Sequence, residues 1–248
     1  MFRLSLSIVS VALTLSAVAQ SSVEYSSQIF NAHTAVANKN MEYLQYAVHS
    51  EDVAQIEQKR SALIRQIQES SQSVKAMPPF EGDSRLRDEI AGVLQVYLES
   101  FQSEFQKVNF LKQSSKESFE AMDQFLKASD AAEKKLVIAS ERAQAAQKAF
   151  AQKHNIQLVE DEERLAGAKT LTELNSYHRA IFLPLFRLNK KDAEFSNALG
   201  MQDAGKMDRA RLELETAAKE SLAFLQKVPD FKGDAAYRTA AIAQVAFY

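Results

Sequence analysis

Apolar residues recur along most of the chain at intervals of three and four, the spacing that gathers side chains on one face of an α-helix. Between residues 24 and 49, Ile29, Val36, Tyr43, Ala47 and Val48 share such a face, with His33 and Asn40 on the same stripe. Ser50-Glu51-Asp52 then reads as a turn and N-cap, because short side-chain oxygens accept the orphan amide hydrogens of the next helix. That second helix is expected over residues 52–76, with Val53, Ile56, Leu63, Ile64, Ile67 and Val74 inward. Pro78-Pro79 stops it, since proline lacks the amide donor and restrains the residue before it. Phe80-Glu81-Gly82-Asp83 forms a tight connection, and Asp83 is placed to cap a third helix. There Leu86, Ile90, Val93, Leu94, Tyr97, Phe101, Phe105 and Val108 make the most regular stripe in the chain, ending within residues 112–115. A fourth helix over 116–153 carries Phe119, Met122, Leu126, Leu136, Ala143 and Phe150. His154-Asn155 suits its C-terminus, where a cation and a residue tolerant of positive φ are favoured. Short links between four helices imply antiparallel neighbours in an up-and-down bundle.

From 156 to 170 the pattern weakens around Glu160-Asp161-Glu162-Glu163, which reads as a join, and stripes resume at 171–199, 203–227 and 234–248. A shift of 151 positions lays this later part on the earlier one. Pro78, Phe80, Gly82, Asp83, Arg87 and Tyr97 meet Pro229, Phe231, Gly233, Asp234, Arg238 and Tyr248. Asp52, Ile56, Arg60, Leu63 and Ser70 meet Asp203, Met207, Arg211, Leu214 and Ser221, and the break at Ser50 to Asp52 falls on Met201 to Asp203. A turn, its cap, the preceding helix and an earlier break in one register point to duplication. The expected fold class is therefore all-α: an up-and-down antiparallel four-helix bundle (20–158) followed by a partial, three-helix repeat of the same unit (159–248). Tyr248 corresponds to Tyr97, midway along the third helix, so three stripes lack their fourth. They are expected to be closed by the first unit, by a partner chain, or by residues absent from this sequence.

Composition narrows the function. Six glycines and four prolines among 248 residues argue against an all-β chain with many tight turns. With 30 basic and 32 acidic residues and no basic block, nucleic-acid binding loses its electrostatic footprint. The absence of cysteine removes disulfides, thiolate metal sites and thiol nucleophiles together. Residues 1–19 begin with Arg3, continue through an apolar stretch over 4–17 and close on Ala17-Val18-Ala19, the pattern of a secretory signal peptide with small residues at the cleavage positions. The mature chain is thus expected to start at Gln20, outside the cytoplasm (periplasm, cell surface or secreted), with no transmembrane segment after cleavage.

Candidate chemistry is sparse. His33, His49, His154 and His178 form no HExxH and no Glu-x-x-His pair, so core or surface histidines are expected rather than a metal site. Glu160 to Glu163 lacks the turn residues and central glycine of a calcium loop and reads as a solvated linker. Phe101, Phe105, Phe119 and Phe125 could line a pocket, although aromatic residues at helical spacing are more often core. No Gly-x-Ser-x-Gly, Ser-x-x-Lys or glycine-rich phosphate loop occurs, so no catalytic, cofactor-binding or metal-binding set is expected, and no cofactor.

Two stretches, VKAMPPFEGDSRLRDEI at Val74 to Ile90 and QKAFAQKHNIQL at Gln147 to Leu158, resemble a family of exported helical bacterial proteins named after a surface protein of Leptospira. The resemblance covers about Tyr25 to Leu158, and 76–83 is its most specific part. It implies an all-helical protein of the cell envelope and brings no catalytic residues. Some members are lipoproteins, and the lack of cysteine departs from that pattern, as does the partial copy after Leu158. The function expected is that of a non-enzymatic envelope or surface protein acting through protein contacts or as a scaffold, with an unknown protein partner or self-association through the incomplete second unit. The alternative is an extracytoplasmic module holding a small apolar or aromatic ligand between helices, which a cavity of a few hundred cubic ångströms would favour.

Overall fold

The structure, a computed structural model, describes residues 21–50, 52–158 and 162–248. The expected signal peptide over 1–19 lies outside them, as do Glu51, Glu160 and Asp161. The protein is all-helical: α1 (Ser22–His49), α2 (Val53–Ala76), α3 (Arg85–Glu99), a π-helical turn (Ser100–Glu104), α4 (Phe105–Ser114), α5 (Phe119–Lys153), α6 (Glu162–Gly200), α7 (Ala204–Leu225) and α8 (Ala236–Ala246). Among the described residues no strand forms.

Helix ends follow side-chain chemistry. Ser21 and Glu24 make a reciprocal capping box at the start of α1, each side chain accepting from the other's backbone N–H at 3.1 and 3.0 Å. Asp52 accepts from the Gln55 amide at 3.1 Å, Ser118 from Ala121 at 3.1 Å, and Asp203 from Gly205 and Lys206 at 3.0 and 3.1 Å. Asn155, at φ +52°, ends α5 with the Ile156 amide donating back to the Ala151 carbonyl at 2.8 Å.

Two departures from the hydrophobic pattern have local causes. The third helix is not one rod. A π turn at Ser100–Glu104 adds a residue to one turn, and the stripe survives because Phe101 and Phe105 remain four apart, buried and stacked at 4.5 Å. Helix α6 begins at Glu162, nine residues before the apolar stripe resumes.

The chain divides into two compact units. The first comprises the chain up to His49, Gln58–Glu99 and Val137–Leu158. Its core joins Tyr25, Ile29 and Val36 of α1 to Leu63, Ile67 and Val74 of α2, Ile90 and Leu94 of α3, and Ala143 and Phe150 of α5, all buried. Ser70 of α2 donates to the Ala32 carbonyl at 2.9 Å, and Arg142 of α5 pairs with Glu89 of α3 at 2.9 Å. The second unit comprises Ser50–Glu57, Ser100–Leu136 and Val159–Tyr248. In it Ile181 and Leu188 of α6 meet Leu214, Ala217 and Leu225 of α7 and Ala241 and Val245 of α8. Tyr177, Leu185 and Phe195 pack against that cluster. Pro184 stands inside α6, where it offers no amide to the preceding turn, and its carbonyl accepts from Ser221 of α7 at 3.3 Å.

Each unit contains one reversal of the same geometry. Phe80 and Asp83 exchange two backbone hydrogen bonds of 3.0 and 2.8 Å, and Phe231 and Asp234 exchange two of 3.0 and 2.9 Å. The central pairs are left-handed, at φ +50° and +82° for Glu81 and Gly82 and +52° and +88° for Lys232 and Gly233. A side chain on Gly82 or Gly233 would meet nothing within 4 Å, so the glycines serve backbone conformation and not close packing. Gly82→Ala and Gly233→Ala are each expected to lower stability by about 1–2 kcal/mol; chemical denaturation with unchanged m-values checks this, and a loss near zero would refute the requirement for positive φ.

Candidate functional site

In the first unit, Phe80 is set by its turn against three aromatic side chains. Its ring lies 5.2 Å from Tyr25, 5.7 Å from Phe150 and 5.0 Å from His154. His154 therefore belongs to an apolar end cluster, 4.4 Å from Phe150, with its Nε2 buried and without a hydrogen-bond partner. Beside this cluster runs a groove of about 520 Å3, floored by Leu86, Ala146, Ala149 and Phe150 and edged by charge. Asp83 binds both Arg85, at 2.7 Å, and Lys153, at 2.6 Å. Hydrogen bonds from Arg85, then Lys153, then the Arg85 amide hold its carboxyl far below the usual carboxylate range. These opposite charges satisfy one another across the groove.

The second unit holds a more apolar cavity of about 500 Å3. Met122, Phe125 and Leu126 of α5 form one wall, Phe182 of α6 another, and Val53 and Ile56 complete the apolar lining. Polar groups stand at its edges. Asn109 donates to Glu57 at 2.7 Å, and Lys112 donates to the Ser50 carbonyl at 2.7 Å. His178 receives or donates a hydrogen bond with Tyr237 at 2.8 Å and stacks on that ring within 9°. Arg179 binds Asp130 and Glu133; burial alone would lower its pKa, but the two carboxylates outweigh burial and raise it.

The four phenylalanines singled out by spacing take three different roles. Phe101 and Phe105 are core, Phe119 lies under the Arg187 guanidinium at 5.4 Å, and Phe125 lines the cavity. Phe182 and His178 were not drawn into that cluster by the sequence, because their stripe belongs to a helix more than fifty residues away. His33 meets Tyr97 at 3.4 Å and the ring of Phe30; of His49 only the backbone is described. Among the described residues no three His, Asp or Glu side chains converge as a metal site would require. Nor is any helix among them long and apolar enough to cross a membrane.

Compared with protein-family models, curated proteins and solved structures, the chain matches none of them.

A carboxylate held below its ordinary pKa contributes stability that is present above the unfolded value, about 4, and is lost as pH falls. Unfolding free energy is therefore expected to decline as pH drops below about 5, and Asp83→Asn should flatten that decline. Denaturant titrations across pH check it; an equally steep slope in Asp83→Asn would show that Asp83 is not its source.

Proposed function

We propose that this chain is an exported, non-enzymatic helical binding module that holds a small apolar or aromatic ligand between helices of its second unit. The single observation that carries the reading is the cavity of about 500 Å3 bounded by Met122, Phe125, Leu126 and Phe182, which is of the size and lining that small-molecule sites have. Signal-peptide patterning over residues 1–19 supports export, and the resemblance of Tyr25 to Leu158 to the Leptospira-type surface proteins supports an envelope location.

The architecture proposed with it is a four-helix bundle and a partial, three-helix copy. Several internal geometries support duplication. The turns at 80–83 and 231–234 share hydrogen bonds and φ values, and α2 and α7, like α3 and α8, begin 151 residues apart. The first helix follows at 152 instead. Tyr25, Ile29, Val36 and Tyr43 then fall on Tyr177, Ile181, Leu188 and Phe195, and the Lys39–Glu42 ion pair falls on Lys191–Glu194. Ring contacts agree, with Tyr25–Phe80 at 5.2 Å and Tyr177–Phe231 at 5.3 Å. Both tyrosine hydroxyls are buried without a partner, and Ser70 and Ser221 donate to the carbonyls of Ala32 and Pro184, also 152 apart. One residue fewer at the break before α7 accounts for the change of register.

A second reading, contact with a protein partner or with another copy, is favoured by apolar side chains left in solvent in the second unit. Phe224 is 49% and Phe247 87% exposed.

The cavity reading is tested with a neutral environment-sensitive dye, phenylnaphthylamine, titrated into the full chain. Saturable binding is expected, and Leu126→Trp, which fills the space while leaving helicity intact, should weaken it at least about tenfold (a loss of ~1.4 kcal/mol). No saturable signal, or an unchanged affinity in the variant, would overturn it.

A further inference from the structure

We infer that the ligand of the second-unit cavity carries a hydrogen-bond acceptor of the carbonyl class beside its apolar body, and that the Nε2–H of His178 is the donor that meets it. This rests on the binding-module reading above and adds to it the polar group of the ligand. His178 and Phe182 stand four residues apart on α6, one turn from each other on the same side, and both line the cavity. Tyr237 stands outside the lining, and its hydroxyl holds the imidazole through Nδ1 at 2.8 Å. The ring is thus fixed from behind, and Nε2 is the polar atom left to the cavity side. Two ring contacts set its plane: Tyr237 lies within 9° of parallel and Phe182 at 27°.

The bond to Tyr237 also decides which nitrogen carries the hydrogen. A phenol is a strong donor and a bare imidazole nitrogen a strong acceptor, so the Tyr237 hydroxyl donates to Nδ1 and the hydrogen of the neutral ring sits on Nε2. Partial burial of the Tyr237 phenol, and then the neighbouring Tyr177, push its pKa up and keep that proton in place. A protonated imidazole donates from Nε2 as well, so in either state the cavity meets a donor there. Tyr237 owes its position to the reversal at 231–234. Asp234 accepts from the Ala236 amide at 2.8 Å where α8 opens, and Tyr237 follows at once with its ring 6.3 Å from Tyr177. The shared architecture does not require this pair. In the register of the proposed duplication His178 and Tyr237 fall on Ser26 and Leu86, both buried, and the first unit keeps its core with neither ring. In the second unit both side chains are exposed, a polar edge beside an apolar wall.

Two neutral probes of one shape test this in the full chain: acetylnaphthalene, which has a carbonyl, and isopropenylnaphthalene, in which a methylene replaces that oxygen. Each is titrated to displace bound phenylnaphthylamine. His178→Phe, which keeps a ring and loses the donor, is expected to weaken the ketone about fivefold and the alkene less than about twofold. His178→Gln, whose amide restores an N–H near the Nε2 position, should return most of the ketone's affinity. Nitrogen NMR of the histidine-labelled wild type gives a reading that does not depend on how those variants fold. For the histidine whose signals change in Tyr237→Phe, a hydrogen on Nε2 and none on Nδ1 is expected, and the ketone should move that Nε2 resonance more than the alkene does. Equal weakening of ketone and alkene in His178→Phe, or a hydrogen found on Nδ1, would overturn the acceptor assignment and leave the binding module standing. Phenylnaphthylamine that fails to bind at all would instead strike the cavity reading itself.

Discussion

Phe80 can reach Tyr25 and Phe150 only because the chain reverses within two residues, both at positive φ. Proline ends α2, glycine accepts a backbone angle that side chains resist, and Asp83 captures the Arg85 amide to begin α3. Shift any of these and the phenylalanine leaves the end of the helices, exposing the aromatic cluster that closes the first unit. Arg87 reinforces the geometry by donating to the Met77 carbonyl at 3.0 Å, just before the proline pair. The same arrangement in the second unit sets Phe231 against Tyr177. The reversal is thus the constraint from which the packing of each unit follows.

Elsewhere the helices are held by burial of apolar stripes, and surface ion pairs add little at the exposures they have. This division explains where binding chemistry can arise. A stripe that meets another stripe makes solid core, as at Phe101 and Phe105. Where the facing helix presents a bulky ring at a less crowded position, as Phe182 does, the stripe of α5 borders open space and becomes a cavity wall. Its polar edge then inherits whatever charges terminate α4.

Much of the helical layout was readable from spacing alone. The break at Pro78-Pro79, the Asp52 and Asp203 caps and the left-handed Asn155 all follow from residue chemistry acting over three or four positions. The π turn at Ser100–Glu104 was not readable, since one added residue leaves an i, i+4 stripe unbroken. The early start of α6 was hidden because the sequence over 162–170 shows no regular apolar stripe from which a helix could be read. That the Tyr25–Phe80 contact finds its like in Tyr177–Phe231, at a spacing of 152 for the tyrosines and 151 for the phenylalanines, was not readable either, because periodicity tolerates a slip of one residue that ring contacts and buried hydroxyls do not.

By itself, then, the sequence determined the helical class, the reversals and which faces are apolar, because these depend on neighbours within one or two turns. Only tertiary structure decided which phenylalanines became core, which bordered a cavity, and that Lys112 and Lys116 would share its rim with Arg179. Those outcomes require side chains separated by fifty or more positions to meet, and the spacing of residues along one helix carries no information about what another helix brings to it.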